Sequence, residues 1–364
     1  MRENKIVYFE AMRILACALV LFNHLPAYSL FYSTTGKRQF LYMCMSMITR
    51  INVPLFFMIS GALLLEKNEE WTYVFKKRFI RVALLLLFFS FILYSLFKLK
   101  NVIYGTEYEY TLLKFLYGFL NDQMEGVMDV IAYWYLYSYL GLLFVLPLIQ
   151  RIAKGFTRTE FFALLILHFI ISSLFPLVNI LLSIRQLPPL ILTGRFSEPF
   201  AVDRAFFYPL IGYYLDKKLD IYKVSYKHIV GMVLTAATGI ILSDLCTYFD
   251  AGQNGVFSQN YVMLFDYVTS IVAFILIKYF FVVSFPKLNS GKSGRIICFM
   301  GSMTLGIYLW DPCLKISIYE KYEAYAESVL STILVSLGWI VISMVFGTLL
   351  TLMLRKIPFI RKLV

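Results

Sequence analysis

AMRILACALVLFNHLPAYSLFY, residues 11–32, is an apolar run of membrane-spanning length that nevertheless carries an arginine, Arg13, and a histidine, His24. A backbone surrounded by lipid must satisfy its own hydrogen bonds, so the run reads as a helix. Ionisable groups inside such a helix are costly, which makes them the first place to look for function. At 100° per residue, eleven positions bring the helix back to within about 20° of its starting direction, so Arg13 and His24 share one face about 16 Å apart.

The rest of the chain has the same character. Its 364 residues are 60% hydrophobic and only 15% charged, which excludes a soluble domain and predicts an all-α integral membrane protein. About ten apolar stretches follow one another, centred near Val20, Phe56, Phe89, Leu140, Leu167, Pro209, Thr238, Val272, Tyr308 and Val341. The sixth, RAFFYPLIGYYLD, is the shortest. The net charge of +12 forms no single patch of the kind that binds nucleic acid. Lys and Arg alternate from loop to loop instead. Arg2, Lys5, Lys67 to Arg81, Arg151 to Arg158, Lys217 to Lys227, Lys287 to Arg295 and Arg355 to Lys362 make up a set about twice as basic as the opposite loops. That asymmetry predicts cytoplasmic segments and places both termini inside. YGTEYEYT, NDQMEGVMD and TYFDAGQNGVFSQN then face outward.

The first apolar run lacks a small-residue cleavage site and is too long for a signal-peptide core, so it is expected to be retained. Cys17, Cys44, Cys246, Cys298 and Cys313 fall in or at the ends of predicted helices without metal-ligand spacing and read as small apolar packing residues. No metal is predicted. No connection is long enough to fold alone, so residues 1–364 are expected to form one membrane domain. The outward segment TLLKFLYGFL has helical apolar spacing and suits an amphipathic helix lying in the membrane interface. There is no internal repeat and no low-complexity segment.

Starting from inside, Glu10 and Arg13 lie near the cytoplasmic surface and His24 about 20 Å further in. Pro26 cannot donate to Phe22, so the helix should loosen beside the imidazole and leave room for a ligand. An apolar setting keeps a histidine neutral, the form a general base needs; a packing histidine bonded to a neighbouring helix is the alternative. In FKKRFIRVALLLL, Arg78 and Arg81 are three residues apart, with Lys76 and Lys77 widening the basic face. Guanidiniums at that spacing suit a phosphate, although basic residues at a cytoplasmic helix end also serve as topology anchors.

The pattern R-x10-H at Arg13 and His24 and R-x-x-R at Arg78 and Arg81 stand with INVPLFFMISG (51–61), YWYLYSYLGLLFVLPLI (133–149) and GIYLWDP (306–312). Together they resemble the acyltransferase 3 family of integral-membrane acyltransferases, which modify cell-surface glycans and related hydroxylated acceptors in bacteria. The resemblance covers nearly the whole chain and implies ten helices in the bacterial cytoplasmic membrane. By it, His24 would be the essential catalytic residue, Arg13 its partner and Glu10 the acidic residue three positions earlier. Arg78 and Arg81, flanked by Lys77, would bind the phosphates of an acyl-CoA donor, most often acetyl-CoA. Asp311 stands where the family commonly has a histidine; it would orient His24 or, alternatively, cap a helix end beside Pro312.

The donor is made in the cytoplasm and the glycan acceptor is displayed outside. With its nucleotide held at Arg78 and Arg81, the donor's long arm would deliver the thioester near His24, which would deprotonate an acceptor hydroxyl or carry the acyl group itself. The acceptor side would come from outward loops, above all LTGRFSEPFAVDR with Arg195, Glu198, Asp203 and Arg204, and from Trp134 among the aromatic residues opening the fourth helix; Arg50 at the outer end of the second would meet either substrate or an ion-pair partner. For any one of those aromatics, a membrane-interface belt is the favoured role and stacking on a sugar ring the alternative. His168 and Asp244 belong to no motif and read as structural; His228 and Lys278 read as topology residues. Membrane lipids and a possible second copy complete the expected partners. A multi-pass transporter or flippase of a lipid-linked glycan is the rival class, although the paired broken helices and repeats common in such folds are missing.

Overall fold

In a computed structural model of the chain, residues 6–24, 37–105, 111–121, 133–190, 204–254, 264–323, 325, 328–358 and 360–362 are described. Among them there are helices and turns but no strand. In chain order the helices are α1 (Val7–Asn23), α2 (Lys37–Thr49), α3 (Asn52–Leu64), α4 (Trp71–Val74 continuing through Ile80–Tyr104), α5 (Leu112–Asn121) and α6 (Trp134–Lys154). Then come α7 (Arg158–Phe169 continuing through Phe175–Ile184), α8 (Arg204–Lys217), α9 (Tyr226–Asn254), α10 (Asp266–Tyr279), α11 (Gly291–Glu323) and α12 (Val329–Leu354).

Every apolar centre read from the sequence lies in one of these helices, but only eight described spans are both long and apolar enough to cross a membrane. The first and sixth stretches fall short: α1 is described over 17 residues and α8 over 14. The amphipathic reading of residues 111–120 is matched by α5, which turns Leu112, Leu113, Tyr117 and Leu120 outward and buries Phe115 against Tyr94. Tyr94 and Tyr137 hold its two ends, donating to the carbonyls of Thr111 and Phe119.

Contacts divide the chain into two compact units, Met1–Asn68 with Leu148–Gly301 and Glu69–Pro147 with Ser302–Val364. In lipid no hydrophobic drive separates helix from hydrocarbon, so close backbone approach through small residues does the work. The first unit shows this between α3 and α8. A Cβ on Gly61 would strike the backbone of Pro209, and one on Gly212 would strike that of Met58. Phe9, Met12, Leu21, Leu55, Phe57, Phe207, Ile211 and Phe274 are among the buried apolar side chains of this unit. At one end Lys217 on α8 pairs with Glu66 just beyond α3, at 2.7 Å.

Lys278, expected to mark topology, is instead 7% exposed and donates to the carbonyls of Leu215 and Asp216 at 3.0 and 2.7 Å. An ammonium there satisfies carbonyls that the end of α8 leaves without helical partners. In the second unit, Gly306 on α11 faces Thr351 on α12, and Gly347 faces Ile307, while Leu85, Leu86, Phe89, Leu309 and Trp339 are buried. Cys17 and Cys313 are buried within the helices, whereas the Cys44 thiol, half-buried, donates to Asp244 at 2.6 Å.

Three helices carry a π-helical turn, at Phe75–Phe79 in α4, Ile170–Leu174 in α7 and Phe280–Ser284 closing α10. In α4 the turn is closed by the Ile80 amide donating to the Phe75 carbonyl five residues back. The turn carries Lys76, Lys77 and Arg78, so the regular 100° step does not connect Arg78 to Arg81 as the sequence spacing predicts.

Candidate active site

In the first unit the candidate residues begin on α1. Glu10 is 3% exposed, and its Oε1 accepts from Arg13 Nη1 at 2.6 Å, one turn along the helix. Its Oε2 has no hydrogen-bond partner among the described residues. The carboxylate lies against Gly301 of α11, where a side chain would collide with Glu10. A buried carboxylate is tolerated when a guanidinium neutralises it, and the bare Cα of Gly301 makes the space for that pair.

His24 is half-buried and closes α1 as its C-cap, with its amide donating to the Val20 carbonyl at 3.1 Å. The preceding residue, Asn23, accepts from the hydroxyl of Thr49 at the end of α2, which ties down the turn that presents the imidazole. The distortion expected at Pro26 lies outside the described residues, but α1 does end beside His24 rather than running through it.

In the second unit Arg78 is gripped by Glu69, which accepts from Nε at 2.8 Å and Nη2 at 2.6 Å. This is the bidentate geometry a guanidinium offers a carboxylate or a phosphate. Lys76, Lys77 and Arg81 are exposed. Arg355, just past α12, donates to the Ser302 carbonyl at 2.9 Å and reaches Met303 Sδ at 3.5 Å. Burial, and then the positive charge of Arg81, holds Arg355 below the ordinary arginine range. The basic face read as R-x-x-R thus includes a second-helix arginine and an internal carboxylate, neither of which the motif names.

Asp311 is fully buried in the middle of α11, where its Oδ1 accepts from Trp339 Nε1 at 3.0 Å and Ser343 Oγ at 2.9 Å. The helix continues past Pro312, which overturns the capping alternative. Trp134 opens α6 half-buried. Its neighbour Tyr133 is 4% exposed, donates to the Leu309 carbonyl at 2.8 Å and meets Tyr308 edge-on, a packing role rather than a belt. Arg50 sits at the corner between α2 and α3. Arg195 and Glu198 lie outside the described residues. No group of three metal-binding side chains occurs among those described.

Sequence reasoning missed Gly301, Thr49, Glu69 and Arg355. Gly301, Thr49 and Arg355 act across distances in the chain that no local spacing records, whereas Glu69, close before the basic run, carried a local signal.

Long apolar helices, buried charged pairs and small-residue helix contacts define a multi-pass membrane protein. The chain belongs to the acyltransferase 3 family, whose model, described as an acyltransferase domain, matches residues 6–355. Searches of curated proteins and of solved structures returned no match.

Proposed function

We propose that this acyltransferase moves an acyl group, acetyl in the first instance, from cytoplasmic acyl-CoA to a hydroxyl of a surface polysaccharide or lipid-linked glycan at the bacterial plasma membrane. In this reading ten helices cross the membrane, with both termini inside. The observation that carries it is the construction of α1 in a chain of this family: a buried Glu10–Arg13 pair at one end and a histidine presented by a tied-down turn at the other.

Eleven residues of helix separate Arg13 from His24 by about 16 Å, too far for both to touch one reacting atom. Arg13, held by Glu10, therefore serves as a positioning residue for the extended donor, and His24 serves the chemistry. Lys76, Lys77, Arg78, Arg81 and Arg355 fit the donor's phosphates in number and charge, with Arg78 exchanging Glu69 for a phosphate oxygen. The neutral imidazole takes the proton of the acceptor hydroxyl as its oxygen bonds to the thioester carbonyl carbon. The carbon–sulfur bond then breaks, and the imidazolium returns its proton to the departing thiolate. Asp311, bound to Trp339 and Ser343, would act by fixing α11 against α12 rather than by touching substrate.

The test is consumption and transfer of radiolabelled acetyl-CoA by the purified protein in liposomes. Wild type should turn over, His24→Ala should lose at least a hundredfold in kcat, and a paired Arg78→Ala, Arg81→Ala variant should mainly raise KM. A wild-type protein that neither binds nor consumes acetyl-CoA or a longer acyl-CoA would remove the donor assignment.

A further inference from the structure

Within the first unit, four separate places in the chain send polar side chains to the end of α3 and α8 opposite the Lys217–Glu66 pair. Arg50 comes from the α2–α3 corner, His168 from α7, Arg204 and Tyr208 from the first turns of α8, and Asp266 from the start of α10. Arg204 Nη2 is 3.9 Å from Asp266 Oδ2, and Arg50 acts on the same carboxylate. His168 is 4% exposed, stacked on Phe207 at 3.9 Å and 12° and edge-on to Tyr267 at 4.8 Å. Arg204 is close enough to influence its charge.

His168 Nδ1 is buried with no hydrogen-bond partner among the described residues. The fully buried hydroxyl of Tyr208 lies beside Asp266, which acts on it through charge and hydrogen bonding. Packing accounts for the His168 ring but not for its Nδ1. Phenylalanine at 168 would supply the same face without the roughly 1–3 kcal/mol that a buried orphan costs. Ionisable groups inside a membrane protein also call for a functional reason by default.

The chemistry of the set selects its ligand. Guanidinium, phenol and a neutral imidazole in its Nδ1–H form all donate, which suits an oxyanion. Asp266, at a separation too long for a direct hydrogen bond to Arg204, is an internal counter-charge rather than a competing ligand. The aromatic faces of Phe207, His168 and Tyr267 already cover one another, so they offer no platform to an uncharged sugar ring. Arg204, with 38% of its side chain exposed, is the way in.

We propose that this cluster is a subsite for an anionic group, a carboxylate or a phosphate, carried by the acceptor. The word acceptor rests on the acyl-transfer reading above; the anion site does not. Its test is thermal stability of the full-length protein in lipid nanodiscs, titrated at constant ionic strength with inorganic phosphate, glucuronate and glucose. A saturable rise in Tm reports binding.

Wild type should be stabilised by phosphate, glucuronate or both, and not by glucose; which anion works separates a phosphate from a uronate source. Arg204→Gln should weaken the apparent Kd about tenfold or more, and Arg204→Lys less. Asp266→Asn, by deleting the counter-charge, should tighten anion binding several-fold, a change of sign that a purely structural ion pair would not give. The inference is overturned if neither anion binds saturably, if Arg204→Gln and wild type respond alike, or if Asp266→Asn weakens binding. Turnover of acyl-CoA without anion binding would sink this subsite alone, whereas anion binding without turnover would leave the site and remove its assignment to an acceptor.

Discussion

Gly301→Ala is the sharpest single perturbation of the Glu10–Arg13 pair. A Cβ there would lie 2.6 Å from the Cβ of Glu10 and 3.0 Å from its Cα, and closer still to Oε2. Ordinary contacts begin near 3.4 Å, so the Glu10 Cβ would have to retreat about 0.8 Å and its Cα about 0.4 Å. Rotating the carboxylate cannot achieve that, because the backbone of α1 is itself too close. The helix must shift, at the roughly 1–3 kcal/mol typical of overpacking, and the 2.6 Å bond to Arg13 is lost or lengthened with it. The expected result is a fall of about 1–4 °C in Tm and at least a tenfold loss of acetyl-CoA turnover, with binding of the protein to detergent or lipid unaltered. Glu10→Gly removes the Cβ that the new methyl strikes, so Gly301→Ala should cost less in that background, and a double-mutant cycle should show coupling of about 1 kcal/mol. Wild-type turnover and Tm in Gly301→Ala, or strict additivity with Glu10→Gly, would refute the reasoning.

Three further outcomes follow from named contacts. Glu69→Gln weakens the bidentate hold on Arg78 and should lower the KM for acyl-CoA several-fold at unchanged kcat; a rise in KM would mean that Glu69 positions Arg78 instead. Ser343→Ala removes a donor to the buried Asp311 and should cost about 1–2 kcal/mol, read as a lower Tm in detergent, whereas an unchanged Tm would show that a water replaces it. Gly212→Ala drives a methyl into the Met58 backbone and should abolish monodisperse protein on size-exclusion chromatography, with recovery of a well-behaved peak counting against the close α3–α8 approach.

The helices were legible because lipid reduces the choice of spanning structures and long apolar runs announce themselves, as α4, α9 and α12 do. Arg13, His24 and Arg78 stood out for the complementary reason, as charge where charge is costly. What escaped was whatever depends on two distant stretches meeting. Glycine at 301 has meaning only once Glu10 is opposite it, and Tyr133 looked like one more interfacial aromatic until Leu309 supplied its acceptor. His168 is harder still, because a missing hydrogen bond leaves no trace in a sequence. The π-helical turn that holds Arg78 also escaped, since residue spacing alone does not distinguish it from a regular helix.

That turn holds one residue more than an α-helix of its length needs. Deleting a single residue between Phe75 and Phe79 would therefore not break α4 but relax it to a regular α-helix, with the stretches before and after the turn keeping the faces they already present. The basic end, with Lys76 and Lys77, can thus lose a residue without re-aiming any residue of the apolar span Ile80–Tyr104, so the length and charge of the cationic end can vary while the part that holds the chain in the membrane stays in phase.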